Sequence, residues 1–248
     1  MVRTRRRAGA ACVLAASIIA FSGCGIPSVG FVAAPPRDSV EGVSLETLPQ
    51  ISFSHDAVLN DTDDFKGYDL YYRLYDDAAT EQTYEEHREA ILAEPREPGT
   101  SRLQANGYRR VVSAAGSTVD GQVPPLIAVP PEQKGEAFEV TLSFGLIPTE
   151  PEEATAVWLA DSETPGSASL ARSVEQEGTQ APEGFLLGMY QDSDPDVASI
   201  SRPIETVIDE SSLWVALYAL GYGIDGLTFQ RLYSEPVFLE YFRLTPAE

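Results

Sequence analysis

Cysteine is almost missing from this chain: Cys12 and Cys24 are the only two in 248 residues. Everything after Cys24 therefore lacks a thiol for a disulfide, a cysteine-ligated zinc or a cysteine nucleophile. Histidine is equally scarce, at His55 and His87. No His-Glu-x-x-His, Gly-x-Ser-x-Gly, phosphate-cradling glycine loop or dinucleotide fingerprint occurs. Lysine occurs twice, at Lys66 and Lys134, and 17 Lys+Arg face 38 Asp+Glu for a formal charge of −21. A surface this poor in cations excludes nucleic acid as a partner, since phosphate neutralisation needs clustered Lys and Arg. It equally excludes docking on anionic lipid through a basic patch. Beyond Phe21 no uncharged apolar run approaches the roughly 20 residues of a spanning helix.

What is present begins at the N-terminus. Met1–Arg7 is cationic, with Arg3, Arg5, Arg6 and Arg7, and Ala8–Phe21 carries no charge. Small residues and a cysteine follow at Ser22, Gly23 and Cys24. A basic stub, a short apolar core and a small-residue junction are the parts of an export signal. Without residues 1–23 the chain keeps 13 basic against 38 acidic side chains, a formal −25. The junction Phe21-Ser22-Gly23-Cys24 resembles the lipobox of bacterial lipoproteins, with Phe21 in the aliphatic slot. That resemblance implies a diacylglyceryl thioether on Cys24, cleavage before it, and attachment to a membrane through acyl chains. Two other readings are cleavage after Ala34 in Val32-Ala33-Ala34, with Cys24 incidental, and an uncleaved anchor.

Residues 24–50 are rich in Gly and Pro and read as a lipidated cysteine with a flexible tether. An irregular strand around Val43–Leu48 is the alternative. From residue 51 the pattern is β. Pro49–Ser54 alternates, and so does Gly67–Tyr75. The latter sets Tyr68, Leu70, Tyr72 and Leu74 on one face and Asp69, Tyr71, Arg73 and Tyr75 on the other. Ala137–Phe144 aligns Phe138, Val140, Leu142 and Phe144. Leu213–Tyr222 is apolar on both faces, and Val237–Leu244 closes the series. Tyr108–Val112, Leu126–Val129, Ala156–Ala160 and Phe185–Tyr190 are weaker strands. Thr83 and Glu86 form a capping-box pattern ahead of a helix that Pro95 stops, expected to cover a sheet edge. Short strands with Gly/Pro breaks predict a mainly β sandwich over 51–248, with insertions at about 76–135 and 145–210.

Ile51–Ser54 followed by Gly67–Arg73 resembles strands B and C of a fibronectin type III domain, with Phe53 where that family has Trp. Leu213–Leu220 resembles its F strand, and Tyr233-Ser234-Glu235-Pro236-Val237 resembles the start of its G strand. Similar Gly-Tyr-x-x-Tyr-Tyr and Tyr-Ser-x-Pro-Val segments occur in spirochaete lipoproteins. The resemblance covers some 60 residues and implies a fibronectin type III or immunoglobulin-like sandwich.

Candidate chemistry is thin. Ser54-His55-Asp56 has the residue types of a triad, yet neighbours on a strand point to opposite faces. Asp61, Asp63 and Asp64 form one acidic knot and Asp192, Asp194 and Asp196 another. Both supply hard oxygen atoms for a weak calcium site, but Lys66 and Val197 stand where an EF-hand needs Gly. Tyr71, Tyr75 and Tyr84 read as exposed aromatics able to bind a sugar or a protein. No cofactor is expected. The composite expectation is a non-enzymatic, lipid-anchored module of the bacterial cell envelope, on its periplasmic or surface face, binding an envelope protein or glycan. The alternative is an envelope glycan hydrolase using paired carboxylates. High acidity with two lysines fits a salty medium that screens self-repulsion. Labelled palmitate is expected to enter the wild-type chain and to be lost from Cys24→Ala. Label retained by the variant rejects the lipobox.

Overall fold

Two strands dominate the molecule because both their faces are dry. Strand β2 (Phe65–Tyr75) and strand β11 (Leu213–Ile224) pair antiparallel from Trp214↔Tyr75 to Gly223↔Phe65. The computed structural model describes residues 30–41, 50–75, 80–113, 124–143, 156–159, 168–175, 182–184, 194–198 and 213–244. Among these the fold is mainly β, as two facing sheets.

The first sheet runs β1 (Gln50–Ser54), β6 (Glu139–Ser143), β7 (Ala156–Leu159), β8 (Ala168–Glu175) and β4 (Val112–Ser113), with β9 (Pro182–Gly184) also on β8. In the second, β11 lies between β2 on one side and β12 (Arg231–Tyr233) and β13 (Val237–Leu244) on the other. The far edge of β2 is covered in pieces. Strand β5 (Ile127–Ala128) pairs with Gly67 and Tyr68, β3 (Arg109–Arg110) with Tyr71 and Tyr72, and β10 (Val197–Ala198) with Leu74 and Tyr75. Gly67 permits the first contact: its φ is +147°, and a Cβ there would lie 2.0 Å from the Ile127 carbonyl oxygen. Between β3 and β4 the chain passes from one sheet to the other at Val111, which is fully buried and donates to the Leu70 carbonyl at 2.8 Å.

The predicted alternation is realised. Tyr68, Leu70, Tyr72 and Leu74 of β2 join Val215, Leu217 and Ala219 of β11 in the inter-sheet core, facing Ile51, Phe53, Val140 and Leu142. Phe53 meets Tyr68 edge-on at 5.3 Å. The opposite face is not open to solvent. Helix α1 (Thr80–Leu92) and helix α2 (Ser101–Ala105) lie over it. Tyr84, Ile91 and Leu103 pack there on Tyr71, Tyr75, Ala216, Tyr218 and Leu220. The molecule thus has three layers and two cores. The helix covers a sheet face rather than an edge, and it begins at Thr80, so Thr83 lies inside it and not at a cap.

Residues 31–41 correct the tether expectation. Phe31–Glu248 forms one compact unit. Val32 and Ala33 are buried, and Glu41 bridges to Ser52. Asn60 accounts for this: its Oδ1 accepts from Ala33 N at 2.8 Å and its Nδ2 donates to Ala33 O at 3.3 Å. Phe21, Ser22, Gly23, Cys24, Val43–Leu48 and Phe185–Tyr190 lie outside the described residues.

A buried ion cluster closes the sandwich where β10 meets β8. Asp196 Oδ2 accepts from Arg172 Nε at 2.9 Å and from the Tyr72 hydroxyl at 2.6 Å, while its Oδ1 accepts from the second guanidinium arm at 2.6 Å. Asp194 takes a further bond from Arg172 at 2.7 Å. Burial pulls the Arg172 pKa down, but the two carboxylates outweigh it and hold it above the ordinary value. Removing one partner strands the other charge in a dry site. Arg172→Met is expected to lower the free energy of urea unfolding by about 3–5 kcal/mol, with the loss largely recovered in Arg172→Met/Asp196→Leu. A single-variant loss below about 1 kcal/mol rejects this role.

Candidate functional site

The structure places His55 in a structural network. Its Nε2 donates to the Lys134 carbonyl at 2.7 Å, which leaves Nδ1 to accept from the Tyr68 hydroxyl at 2.7 Å. The ring stacks on Phe138 at 4.5 Å. Both nitrogens are therefore committed, and neither bonds Ser54 or Asp56. His87 Nδ1 bonds the Tyr75 hydroxyl at 2.8 Å on the helical side.

The three tyrosines read as exposed are buried instead. Tyr75 is enclosed between His87 and Tyr108, whose hydroxyl is 3.0 Å from its own, and burial pushes its pKa up to about 12. Tyr84 stacks on Tyr241 at 3.9 Å. Tyr71 bonds Thr100 through its hydroxyl. Alternation assigned them correctly to one face, but that face is roofed by α1 and α2.

The calcium reading fails on a similar ground. Asp194 and Asp196 face Arg172, and Asp192 lies outside the described residues. Asp61 and Asp63 are exposed loop residues, and Asp64 accepts from Gly226 N at 3.0 Å. Among the described residues no group of three or more His, Cys, Asp or Glu is placed to hold a metal ion.

A cleft of about 610 Å³ opens instead along the outer face of the second sheet, beside α2. Asp69, Tyr71, Arg109, Arg110, Tyr222, Arg231 and Tyr233 line it, with Ser173 and Pro195 at the β3 edge. Register explains the grouping. Arg110 is opposite Tyr71, and Tyr222 is opposite both Gly67 and Tyr233, so these side chains share the face that the helices leave uncovered. Gly107 ends α2 with φ +76°, and a Cβ there would lie 2.1 Å from the Arg73 guanidinium.

The charges divide unequally. Asp69, fully buried, is gripped by Arg110 at 2.9 and 2.7 Å and accepts from Leu126 N at 3.0 Å. Burial lowers the Arg110 pKa, but the paired carboxylate more than offsets that. Arg109 and Arg231 have no ion-pair partner among the described residues. Burial raises the Tyr222 and Tyr233 pKa values, so both hydroxyls stay protonated. The cleft is thus a cationic, tyrosine-bearing groove on an acidic protein. Strands β3 and β12 are three places apart in the sheet, and Arg109 lies level with Leu217 of β11 while Arg231 lies level with Ile224, so their backbones are roughly 25 Å apart.

Residue patterning missed this site because its members run from Asp69 to Tyr233. One signal was present: Arg109-Arg110 is the only adjacent basic pair beyond the N-terminal arginines. Comparison with protein-family models, curated proteins and solved structures returns no match for this chain.

His55 yields a pH prediction. Burial holds its folded-state pKa below the ordinary 6.5. The unfolded chain therefore takes up the proton first, so the stability due to neutral His55 is complete above about pH 6.5 and is lost as pH falls towards the depressed value. The stability gap between wild type and His55→Gln, read from urea midpoints, is expected to narrow between about pH 7.5 and 5.5. A constant gap rejects the assignment.

Proposed function

We propose that this chain is a non-enzymatic, lipid-anchored binding module of the bacterial cell envelope, and that its cleft receives an extended acidic glycan. The observation that carries the reading is the cleft's charge. A glycan hydrolase with paired carboxylates needs two carboxyl groups facing one bond, about 5–9.5 Å apart. The described lining of this cleft has one carboxylate, Asp69, and Arg110 and Leu126 occupy it. Arg109 and Arg231 are left to meet negative charge supplied from outside.

Their separation favours a ligand with repeated acidic groups over a single small anion. Tyr233, half-buried and in edge contact with the buried Tyr222 at 5.5 Å, offers aromatic surface and a hydroxyl on the same strand as Arg231. Sugars are commonly held by this combination of ring faces and polar tips. The pairing of β2, β11 and β13 in one sheet and of β1 with β6 in the other supports a fibronectin type III-like sandwich, since it follows that family's C–F–G and B–E order. The lipobox resemblance at Phe21–Cys24 supplies the address.

The test is calorimetric titration with three probes: a uronic-acid oligosaccharide, polyglutamate and a neutral glucan. The uronate is expected to bind, the glucan not to bind, and Arg109→Ala/Arg231→Ala to weaken the uronate by about tenfold or more, since bonds to charged groups contribute about 1.5–3 kcal/mol each. Binding of polyglutamate without uronate makes the partner a protein. Equal binding of the neutral glucan, or an unaffected double variant, rejects the reading.

A further inference from the structure

All the exposed large apolar side chains among the described residues lie at one end of the sandwich. They are Phe31, Val58, Leu59, Leu227 and Phe229, exposed by 62, 86, 51, 72 and 76% respectively. Scattered singly over a surface, such residues would mean nothing. Here they belong to three segments that are bonded together: residues 31–33, the β1–β2 loop and the β11–β12 turn. Ala33 is held by Asn60, Ile224 N donates to the Asp64 carbonyl at 2.9 Å, and Gly226 N donates to the Asp64 side chain. The register Gly223↔Phe65 puts the start of β2 and the end of β11 side by side.

The apolar tips are held rigidly outward. Asp56 Oδ1 accepts from the backbone N–H of Val58 and Leu59, at 3.1 and 2.9 Å. Asp225 Oδ1 does the same for Leu227 and Thr228, at 2.8 and 2.7 Å. Two aspartate-capped turns therefore each present two apolar side chains. Phe229 adopts φ +58°, a left-handed conformation that is costly for an aromatic residue, while its N–H bonds the Asp225 carbonyl. Charge at this end is net negative, since Asp56, Asp61, Asp63, Asp64 and Asp225 outnumber the lysines. Both lysines of the chain are here, Lys66 donating to the Asp63 carbonyl at 2.5 Å and Lys134 to that of Thr62 at 2.9 Å. They face Asp61, Asp63 and Asp64.

The length of chain that precedes this end says what covers it. Six residues separate Cys24 from Phe31. Fully extended, they reach no more than about 20–25 Å. We propose that the end bearing Phe31, Val58, Leu59, Leu227 and Phe229 rests in the interface of the lipid bilayer that holds Cys24, fixing the sandwich upright. This rests on the lipoprotein reading. The occupant is a bilayer surface of zwitterionic lipid, because the surplus of carboxylates at this end disfavours anionic headgroups. The acyl chains retain the protein, and the apolar tips orient it. With β2 upright, its 11 residues put Tyr75 roughly 35 Å above the tips.

Full-length chain from a lipidating bacterial host, reconstituted in phosphatidylcholine vesicles, provides the test. Nitroxide labels on Phe229→Cys, on Val58→Cys and, as control, on Glu89→Cys of α1 are compared for collisional access to oxygen and to a water-soluble nickel chelate. Mass spectrometry of the N-terminal peptide reports the diacylglyceryl group. Positions 229 and 58 are expected to favour oxygen by several-fold relative to position 89. Water-like values at both tips on a lipidated chain overturn the docking and leave the anchor standing. An unmodified Cys24 with lipid-like tips removes the anchor and supports the docking, whereas water-like tips on an unmodified chain overturn both.

Discussion

Everything in this molecule follows from the burial of both faces of β2 and β11. A strand pair that is apolar on one side needs one cover, but this pair needs two. The first sheet supplies one through Ile51, Phe53, Val140 and Leu142, and the helices supply the other through Tyr84, Ile91 and Leu103. The helical cover is shorter than the sheet beneath it. The uncovered remainder, near Asp69, Tyr222 and Tyr233, is the cleft. The binding groove is therefore a by-product of how the second core is closed.

A chain with few cations commits three of them to its interior contacts. Arg172 is fully buried against Asp194 and Asp196, Arg110 is tied to Asp69, and Lys134 is buried beside Thr62. Each offsets a carboxylate or a carbonyl that the fold has desolvated. The protein as a whole carries a formal −21. Against that background two arginines in one groove, without an ion-pair partner among the described residues, stand out as a local reversal of sign.

The sequence made the central strands legible because alternation is a strong signal when it runs for nine or more residues. It assigned Tyr71 and Tyr75 to the right face and then left that face exposed. Tyrosine permits this error, since a ring with a polar tip suits either solvent or a core in which the hydroxyl finds a partner such as His87 or Thr100. Strands β3 and β5 fall within the weaker candidates Tyr108–Val112 and Leu126–Val129, whereas β10, with two residues, has no period to detect. Strand β8 was missed because Ala168–Glu175 has the Ala, Arg and Glu content of a helix. Residues 31–41 looked like coil because their anchor is a side chain, Asn60, 27 residues downstream of Ala33. The cleft was invisible for the same reason: its arginines meet only through the sheet.

The piecemeal edge of β2 has a consequence for how this protein behaves in a crowded envelope. A free edge of 11 residues would offer a long row of unpaired amides and carbonyls for a neighbouring chain to extend. Here β5, β3 and β10 each occupy two positions and end before a neighbour could find a continuous template. Each is fastened separately: β5 through the close approach at Gly67, β3 through the Arg110–Asp69 grip, and β10 through Asp196 on Arg172. Loss of one fastening exposes a short gap rather than the whole edge. Residues between the three patches are then free to vary in length and composition without opening a route to fibrous self-association.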